Sequence, residues 1–501
     1  MNVFSAVFFI ALLFSLSFGA GERCGTMRFI KELKDPQKKM LAKGYSADTR
    51  LALIKDTITT HFIIYYMTEG VHAVRTRAYI DSLAKYLEQA YDLHTNTLGM
   101  KRISGTARTT FYEKVVPSGR YPIEVVDTGV GTDGDYCGTY GLTFPNRYSR
   151  KSEETQIAIE NDFIYGMDCP EVGKRKGNPF ISSAHDYSRE WHLALKVTVF
   201  HELYHSFQMT QYDFSANYPN HTFWMEASAT GVEEIGAPEV NDYIGYLYSP
   251  IPGKSMENLD DPMYEYSYAS LYLFLSSELG KKFDSYIWEY FSKSPKETFT
   301  MQLARYMKLQ REGEDVEDLF HKFATHLFYS GSRAELWPYP YNPFSEDMHY
   351  WPTWTIKRSA PSYLLAGVFD YIRAPNGLAP STDSVARISS LKFGNSNDSV
   401  WVLSRLLAED FVLPPAVPPL KQFAAYPNPW DPKRFEKVKF GPLPYYSGGV
   451  EIRTANGALL QRIDGKTGDT LTWQPEKLPA PGILYYRTLP YGKNKMLILE
   501  R

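Results

Sequence analysis

The stretch 197-VTVFHELYHSFQ-208 places two histidines four positions apart, with a glutamate directly after the first. On a helix, residues four apart stack on one face, about 6 Å along the axis. Two imidazoles at that spacing, His201 and His205, can hold a single metal ion. Glu202 then sits beside the metal, where it can take a proton from an activated water. Val197, Thr198 and Val199 are β-branched and poor helix formers, so this helix forms only if it is buried. Leu195, Val199, Phe200 and Phe207 supply the apolar surface for that. A buried, unsatisfied histidine pair is costly, and metal ligation removes the cost. The competing reading is two core histidines bonded to their neighbours.

A catalytic zinc takes three protein ligands and keeps one position open. The next informative stretch is 220-NHTFWMEASATGVEE-234, where Glu226 lies 21 positions beyond His205. A second helix beginning near Trp224 can present Glu226 to the metal. Glu233 and Glu234 compete for that role, but lie two turns further on, where a solvated face or a supporting position is expected. His221 is nearer and sits in a polar loop. The pair HELYH and WMEASAT resembles the gluzincin branch of the zincin metallopeptidases. That resemblance makes His201, His205 and Glu226 the zinc ligands and Glu202 the general base. Gluzincins often place an Asp four residues after the ligand, to orient a histidine. Thr230 stands there, so Thr230 or a backbone carbonyl is left for that task.

The resemblance extends over residues 60–300. The stretches HFIIYY, YIDSLAKYLEQAY, IAIENDF, FHELYHSFQ, FWMEASATGVEE, VNDYIGYL and YSYASLYLFLSSELG occur in an order similar to the MXAN-type secreted bacterial metalloproteases. By the same analogy, a tyrosine of a later helix donates to the developing oxyanion. In 266-YSYASLYLFLSSELG-280 the candidates are Tyr266 first and Tyr268 second. The strand around 155–162 would form the cleft edge, to which a peptide adds by β-augmentation.

Around this site, the periodicities predict an α+β domain. HFIIYYM (61–67), YPIEVVDTG (121–129) and TQIAIEND (155–162) read as strands. Ile80, Leu83, Tyr86, Leu87, Ala90 and Leu93 form one helical stripe ending near Gly99. Residues 187–211 and 316–330 read as helices, and 263–291 as two helices meeting near Gly280. The aspartates of 127-DTGVGTDGDYCGTYG-141 lack EF-hand spacing and read as turns rather than a calcium loop. Beyond residue 345 the texture turns to short strands separated by Asn, Ser, Gly and Pro. The expected division is a signal peptide at 1–20, a zincin-like domain at 21–345, a β-rich accessory region with a Pro-rich linker at 346–420, and a small β-sandwich at 421–501. The last, with YPNP, NGALL and ILYYR in order, resembles the C-terminal sorting domain of type IX secretion cargo. The alternative is an Ig-like module that binds a surface or polysaccharide.

The balance of 54 basic and 57 acidic residues gives no basic footprint for nucleic acid. MNVFSAVFFIALLFSLSFGA is uncharged and ends in small residues, the layout of a cleaved export signal, although the n-region lacks Lys and Arg; no later segment reads as a membrane span. Of the three cysteines, Cys137 and Cys169 are candidates to pair, which leaves Cys24 near the new N-terminus. The Lys-rich run KELKDPQKKMLAKG reads as a solvated helix or part of a pro-segment. The function expected is a secreted zinc metallopeptidase acting on peptides or proteins, with the type IX machinery as a candidate partner of the tail. Two alternatives stand beside it. One is a surface-associated binding protein on the same fold with little or no hydrolysis; the other is a zinc hydrolase of non-peptide amides.

Overall fold

A computed structural model describes residues 24–26, 53–101, 103–129, 138–145, 154–164, 187, 189–211, 222–247, 251–256, 262–295, 297–311, 313–374, 379–380, 385–392, 399–409, 411, 423–441, 443, 448–465, 469–475, 477–489 and 494–500. The export signal, His221, Cys137, Cys169, the Lys-rich run, the linker at 412–420 and the centre of the Asp-rich loop lie outside the described residues. Contacts divide the chain into two units, Met1–Leu413 and Pro414–Arg501.

The first unit is built on a mixed sheet. Its strands are β1 (Lys55–Ile58), β2 (Phe62–Tyr66), β3 (Ser104–Gly105), β4 (Tyr121–Val126), β5 (Gly141–Pro145) and β6 (Glu154–Glu160). The order is β1-β2-β4-β6-β3, and β5 also pairs with β6. Strands β2, β4 and β6 are parallel to one another, whereas β1 and β5 are antiparallel to their neighbours. Side chains alternate between two cores, as the two-residue period requires. Phe62, Ile64, Ile123, Val125, Ile157 and Ile159 face the helices. Ile63, Tyr65, Val126, Leu142, Phe144 and Ala158 face the other way, onto Phe111 and Tyr112.

Helix α1 (Arg77–Asp92) buries Tyr79, Ile80, Leu83, Leu87 and Ala90, close to the expected stripe. Helix α2 (Trp191–Gln211) carries HELYH and is buried on every side from Val197 to Met209. That enclosure explains how the β-branched run Val197–Val199 can be helical. The Tyr121 hydroxyl on β4 fastens the helix to the sheet, 2.6 Å from Ser206 Oγ. Helix α3 (Thr222–Gly236) lies against α2 at close range: a Cβ on Gly236 would stand 2.3 Å from the Phe200 ring. The region expected as two helices is three: α4 (Pro262–Ser267), α5 (Ala269–Leu279) and α6 (Phe283–Lys293). Gly280, with φ of +90°, makes the break between α5 and α6. Helices α7 (Phe299–Gln310) and α8 (Val316–Leu327) follow.

One buried carboxylate ties the two motif helices together. Asp284 of α6 accepts hydrogen bonds from the Tyr204 hydroxyl on α2, Trp224 Nε1 on α3 (2.6 Å) and Trp288 Nε1 (3.1 Å). Burial pushes its carboxyl up to about 6, against these donors that hold it down. The tryptophan of the WMEASAT motif therefore serves as a clamp between helices.

Residues 346–413 form the strands expected there: β7 (Val368–Ala374), β8 (Arg387–Lys392) and β9 (Ser399–Arg405), in the antiparallel order β7-β9-β8. They share the core of the first unit. Phe369 rests edge-on against Phe320 and Phe323 of α8, and Tyr371 donates to the Ala324 carbonyl.

Among the described residues the second unit has seven strands: β10 (Ala424–Tyr426), β11 (Val438–Gly441), β12 (Gly449–Thr454), β13 (Leu459–Asp464), β14 (Leu471–Trp473), β15 (Gly482–Leu489) and β16 (Lys495–Leu499). They make two antiparallel sheets, β10-β11-β14 and β13-β12-β15-β16. Val438, Phe440 and Trp473 of one and Val450, Ile452 and Leu497 of the other close around Trp430, giving a small sandwich. In YPNP, Asn428 mimics a strand: its amide donates to the Met496 carbonyl and accepts from Ile498 N on β16.

The Asp284 clamp yields a stability prediction. Asp284→Ala strands three buried donors, each costing about 1–3 kcal/mol. The variant is expected to lose at least 3 kcal/mol by this reckoning in urea unfolding. A loss below 1 kcal/mol would show that the clamp does not hold the motif helices.

Candidate metal centre

His201 and His205 project from the same face of α2 and Glu226 projects from α3, all of them buried. His201 Nε2 lies 3.0 Å from His205 Nε2 and 3.2 Å from Glu226 Oε2, and His205 Nε2 lies 3.5 Å from Glu226 Oε1. The three residues expected to share a metal are thus brought together. A fourth joins them that the sequence reading left aside. Cys24 Sγ is 3.3 Å from His205 Nε2, and the ligand atoms of Cys24, His201, His205 and Glu226 all lie within 4.8 Å of one another.

The outer faces of the imidazoles fix which nitrogen carries the proton. His201 Nδ1 donates to Glu233 Oε1 at 2.7 Å, since a carboxylate can only accept. Gln208 Nε2 donates to the Met225 carbonyl and to Ser228 Oγ, which turns Gln208 Oε1 to receive His205 Nδ1–H at 2.8 Å. Both Nε2 atoms are left to present lone pairs to each other and to a carboxylate. Glu226 Oε1 is buried with no hydrogen-bond partner. Such a group of acceptors is satisfied only by a cation at its centre, a proton or a metal ion. Without a metal the proton fills in. Burial opposes it, but hydrogen bonds to Glu226 and Glu233 raise His201 to about 10. Burial also works against ionising Glu226, yet His205 and His201 hold it well below the ordinary carboxylate range. Four ligands about 2.1 Å from a tetrahedral metal stand about 3.4 Å apart. The separations of 3.0–3.5 Å match that figure, so the group could hold a metal ion.

Glu202 points to the neighbouring strand. Its Oε2 accepts from Thr143 Oγ1 on β5 at 2.8 Å and from Thr26 Oγ1 at 3.0 Å. Strand β5 can come this close because residue 141 is glycine: a Cβ there would stand 2.9 Å from Glu202 Cγ. Of the two candidate tyrosines, Tyr266 is at the site. Its ring stacks on His201, with centroids 6.3 Å apart, and on Tyr246 at 4.8 Å. Tyr268 is turned away, with its hydroxyl toward the Lys254 carbonyl and its ring against Phe223.

Two expectations are corrected and a third is decided between its alternatives. The orienting partner of His201 is Glu233, whereas Thr230 Oγ1 is buried without a hydrogen-bond partner. Of the two places expected for Glu233 and Glu234, a solvated face or a supporting position, Glu233 has the second: both residues are buried, because α3 is enclosed as fully as α2, and Glu233 bonds His201. Glu233 stands seven residues, two helical turns, after Glu226, so the shared face was readable from spacing. The edge strand beside α2 is β5, not the strand at 155–162. Strand β6 is interior, paired to β4 and β5. Strand β5 was hidden because it begins at the last glycine of the Gly/Asp-rich loop. Gln208, one turn after His205, was legible in the same way as Glu233; Cys24, 181 positions from its partner, had no local signal.

No known protein family matches the chain, and no curated protein matches it.

Removing the partner of His201 tests the role of Glu233. Glu233→Ala is expected to weaken metal binding about 10- to 100-fold, the usual cost of losing an outer hydrogen bond to a ligand. Competition against a chromogenic chelator measures it. Unchanged affinity would mean that Glu233 does not orient the ring.

Proposed function

We propose that the chain is a zinc-dependent peptidase whose base is Glu202. The observation that carries this reading is the convergence of His201, His205 and Glu226 at tetrahedral separations, with a carboxylate directly alongside that none of the ligands uses. Two imidazoles, a carboxylate and a thiol in a tight buried group favour zinc over calcium or magnesium, which prefer all-oxygen sets. When bound, the ion supplies a Lewis acid that makes water a better nucleophile and polarises a carbonyl. Glu202, held by Thr143, takes the proton from the attacking water and passes it to the leaving amine. Tyr266, whose ring stacks on His201, is the candidate donor to the oxyanion. Strand β5 supplies the extended edge on which a peptide would lie.

One observation favours a second reading. With Cys24 present, the site has four protein ligands, the closed form typical of structural zinc. Such a site would fit a binding protein with no hydrolysis. It gives no role to Glu202, whose carboxylate the fold nevertheless positions by a strand hydroxyl and a glycine. We further read the chain as exported, with the seven-stranded C-terminal sandwich as its sorting module and the type IX machinery as that module's partner. The uncharged leader and the YPNP-to-ILYYR order carry this reading. Among the described residues no helix is long and apolar enough to cross a membrane.

The test is metal content and cleavage on one set of proteins. His201→Ala, His205→Ala and Glu226→Ala are each expected to lose the zinc that the parent holds at one per chain. Glu202→Gln, introduced in a Cys24→Ser parent so that the fourth position is free, is expected to keep zinc and lose at least about 100-fold in casein cleavage. Zinc retained by all three ligand variants would end the reading.

A further inference from the structure

The metal group is sealed from within the chain. The segment Cys24–Thr26 lies against strand β5: Cys24 makes an isolated parallel bridge to Gly141, and Gly25 N donates to the Gly141 carbonyl at 3.0 Å. Thr143 N donates to Thr26 Oγ1 at 2.7 Å, and Thr26 Oγ1 in turn donates to Glu202 Oε2. Cys24 is 2% exposed and packs with Tyr246 and Tyr266. The void left among Cys24, Tyr140, His201, Glu202 and Tyr266 is about 20 Å³. That is room for one water and none for a peptide.

These contacts engage each part the proposed reaction would need. The sulfur stands beside the three other candidate ligands, the threonine hydroxyl occupies the base, and the Gly25 amide and the Thr26 hydroxyl take up the Gly141 carbonyl and Thr143 N of β5. Thr26 satisfies both Thr143 N and Glu202, so the cap is built by two hydrogen bonds rather than by packing alone. The orphaned Glu226 Oε1 independently marks the centre as one that takes a cation.

We propose that Cys24–Thr26 is an intramolecular plug: Cys24 is the fourth zinc ligand and Thr26 the cap on Glu202, so that the chain holding this segment in place is latent. This rests on the zinc-peptidase reading above. On ligation the Cys24 S–H bond breaks, its proton passes to solvent, and a sulfur–metal bond forms. Displacement reverses the step, with solvent reprotonating the thiolate, and needs no oxidant.

The full chain and its Cys24→Ser and Cys24→Ala variants, each loaded with cobalt(II) or zinc, separate the outcomes. The cobalt-loaded parent is expected to show a near-ultraviolet thiolate-to-cobalt charge-transfer band that both variants lack, with metal still at one per chain in all three. Zinc-loaded variants are expected to cleave an unfolded casein at least tenfold faster than the parent. A metal-loaded parent without the band overturns Cys24 as a ligand. Variants that lose their metal make Cys24 a structural ligand and overturn latency, as does cleavage no faster than the parent's. A parent and variants that all fail to bind metal would sink the zinc reading itself, which is a different result from any of these.

Discussion

Two imidazole lone pairs and a carboxylate, held within 3.0–3.5 Å of one another in a dry interior, are the constraint around which the first unit is organised. Acceptors do not gather in this way unless a cation repays the cost of burying them. Everything nearby holds them to it. Glu233 and Gln208 hold the rings from behind, the Asp284 clamp locks α2 to α3, and Gly236 lets the two helices approach closely. The sheet contributes Tyr121 to anchor α2 and Thr143 to steady Glu202. The motif is short in sequence, but its support is spread over five elements.

How much of this was readable follows from the range of the interactions. His201, Glu202 and His205 share one helical turn, so spacing alone placed them. Glu226 was reachable through the motif that surrounds it. Strands β2, β4, β6, β7 to β9 and β11 to β16 were legible as short apolar or alternating runs, and helices α1 and α8 from a period of 3.6, whereas β1, β3 and α7 were not read. What escaped was set by tertiary contact. Strand β5 is five residues long and starts on a glycine that earlier punctuation made look like loop. Glu233 was left between a solvated face and a supporting position, and only the enclosure of α3 decides for the second. Cys24 stood in a stretch whose local chemistry says nothing, and its meaning arises only from a partner far along the chain.

The same arrangement reconciles two features that pull in opposite directions. A four-ligand group is what a structural metal site uses, and a poised carboxylate beside three ligands is what a hydrolytic site uses. Both hold if the fourth ligand belongs to a segment that can leave. The seal along β5 rests on a few backbone and hydroxyl hydrogen bonds, each worth about 1 kcal/mol net. A sulfur–metal bond at Cys24 would be the strongest of its ties. The sheet β7-β9-β8 extends the core of the first unit, and the C-terminal sandwich closes on its own tryptophan-centred interior.

The most direct measurement is the X-ray absorption fine structure at the zinc edge of the full, zinc-loaded chain. The account predicts one sulfur at about 2.3 Å with nitrogen and oxygen at about 2.0–2.1 Å, including the multiple-scattering signature of two imidazoles. A shell of oxygen alone, with no imidazole contribution, would mean that zinc binds somewhere else on the chain and would contradict the centre described here.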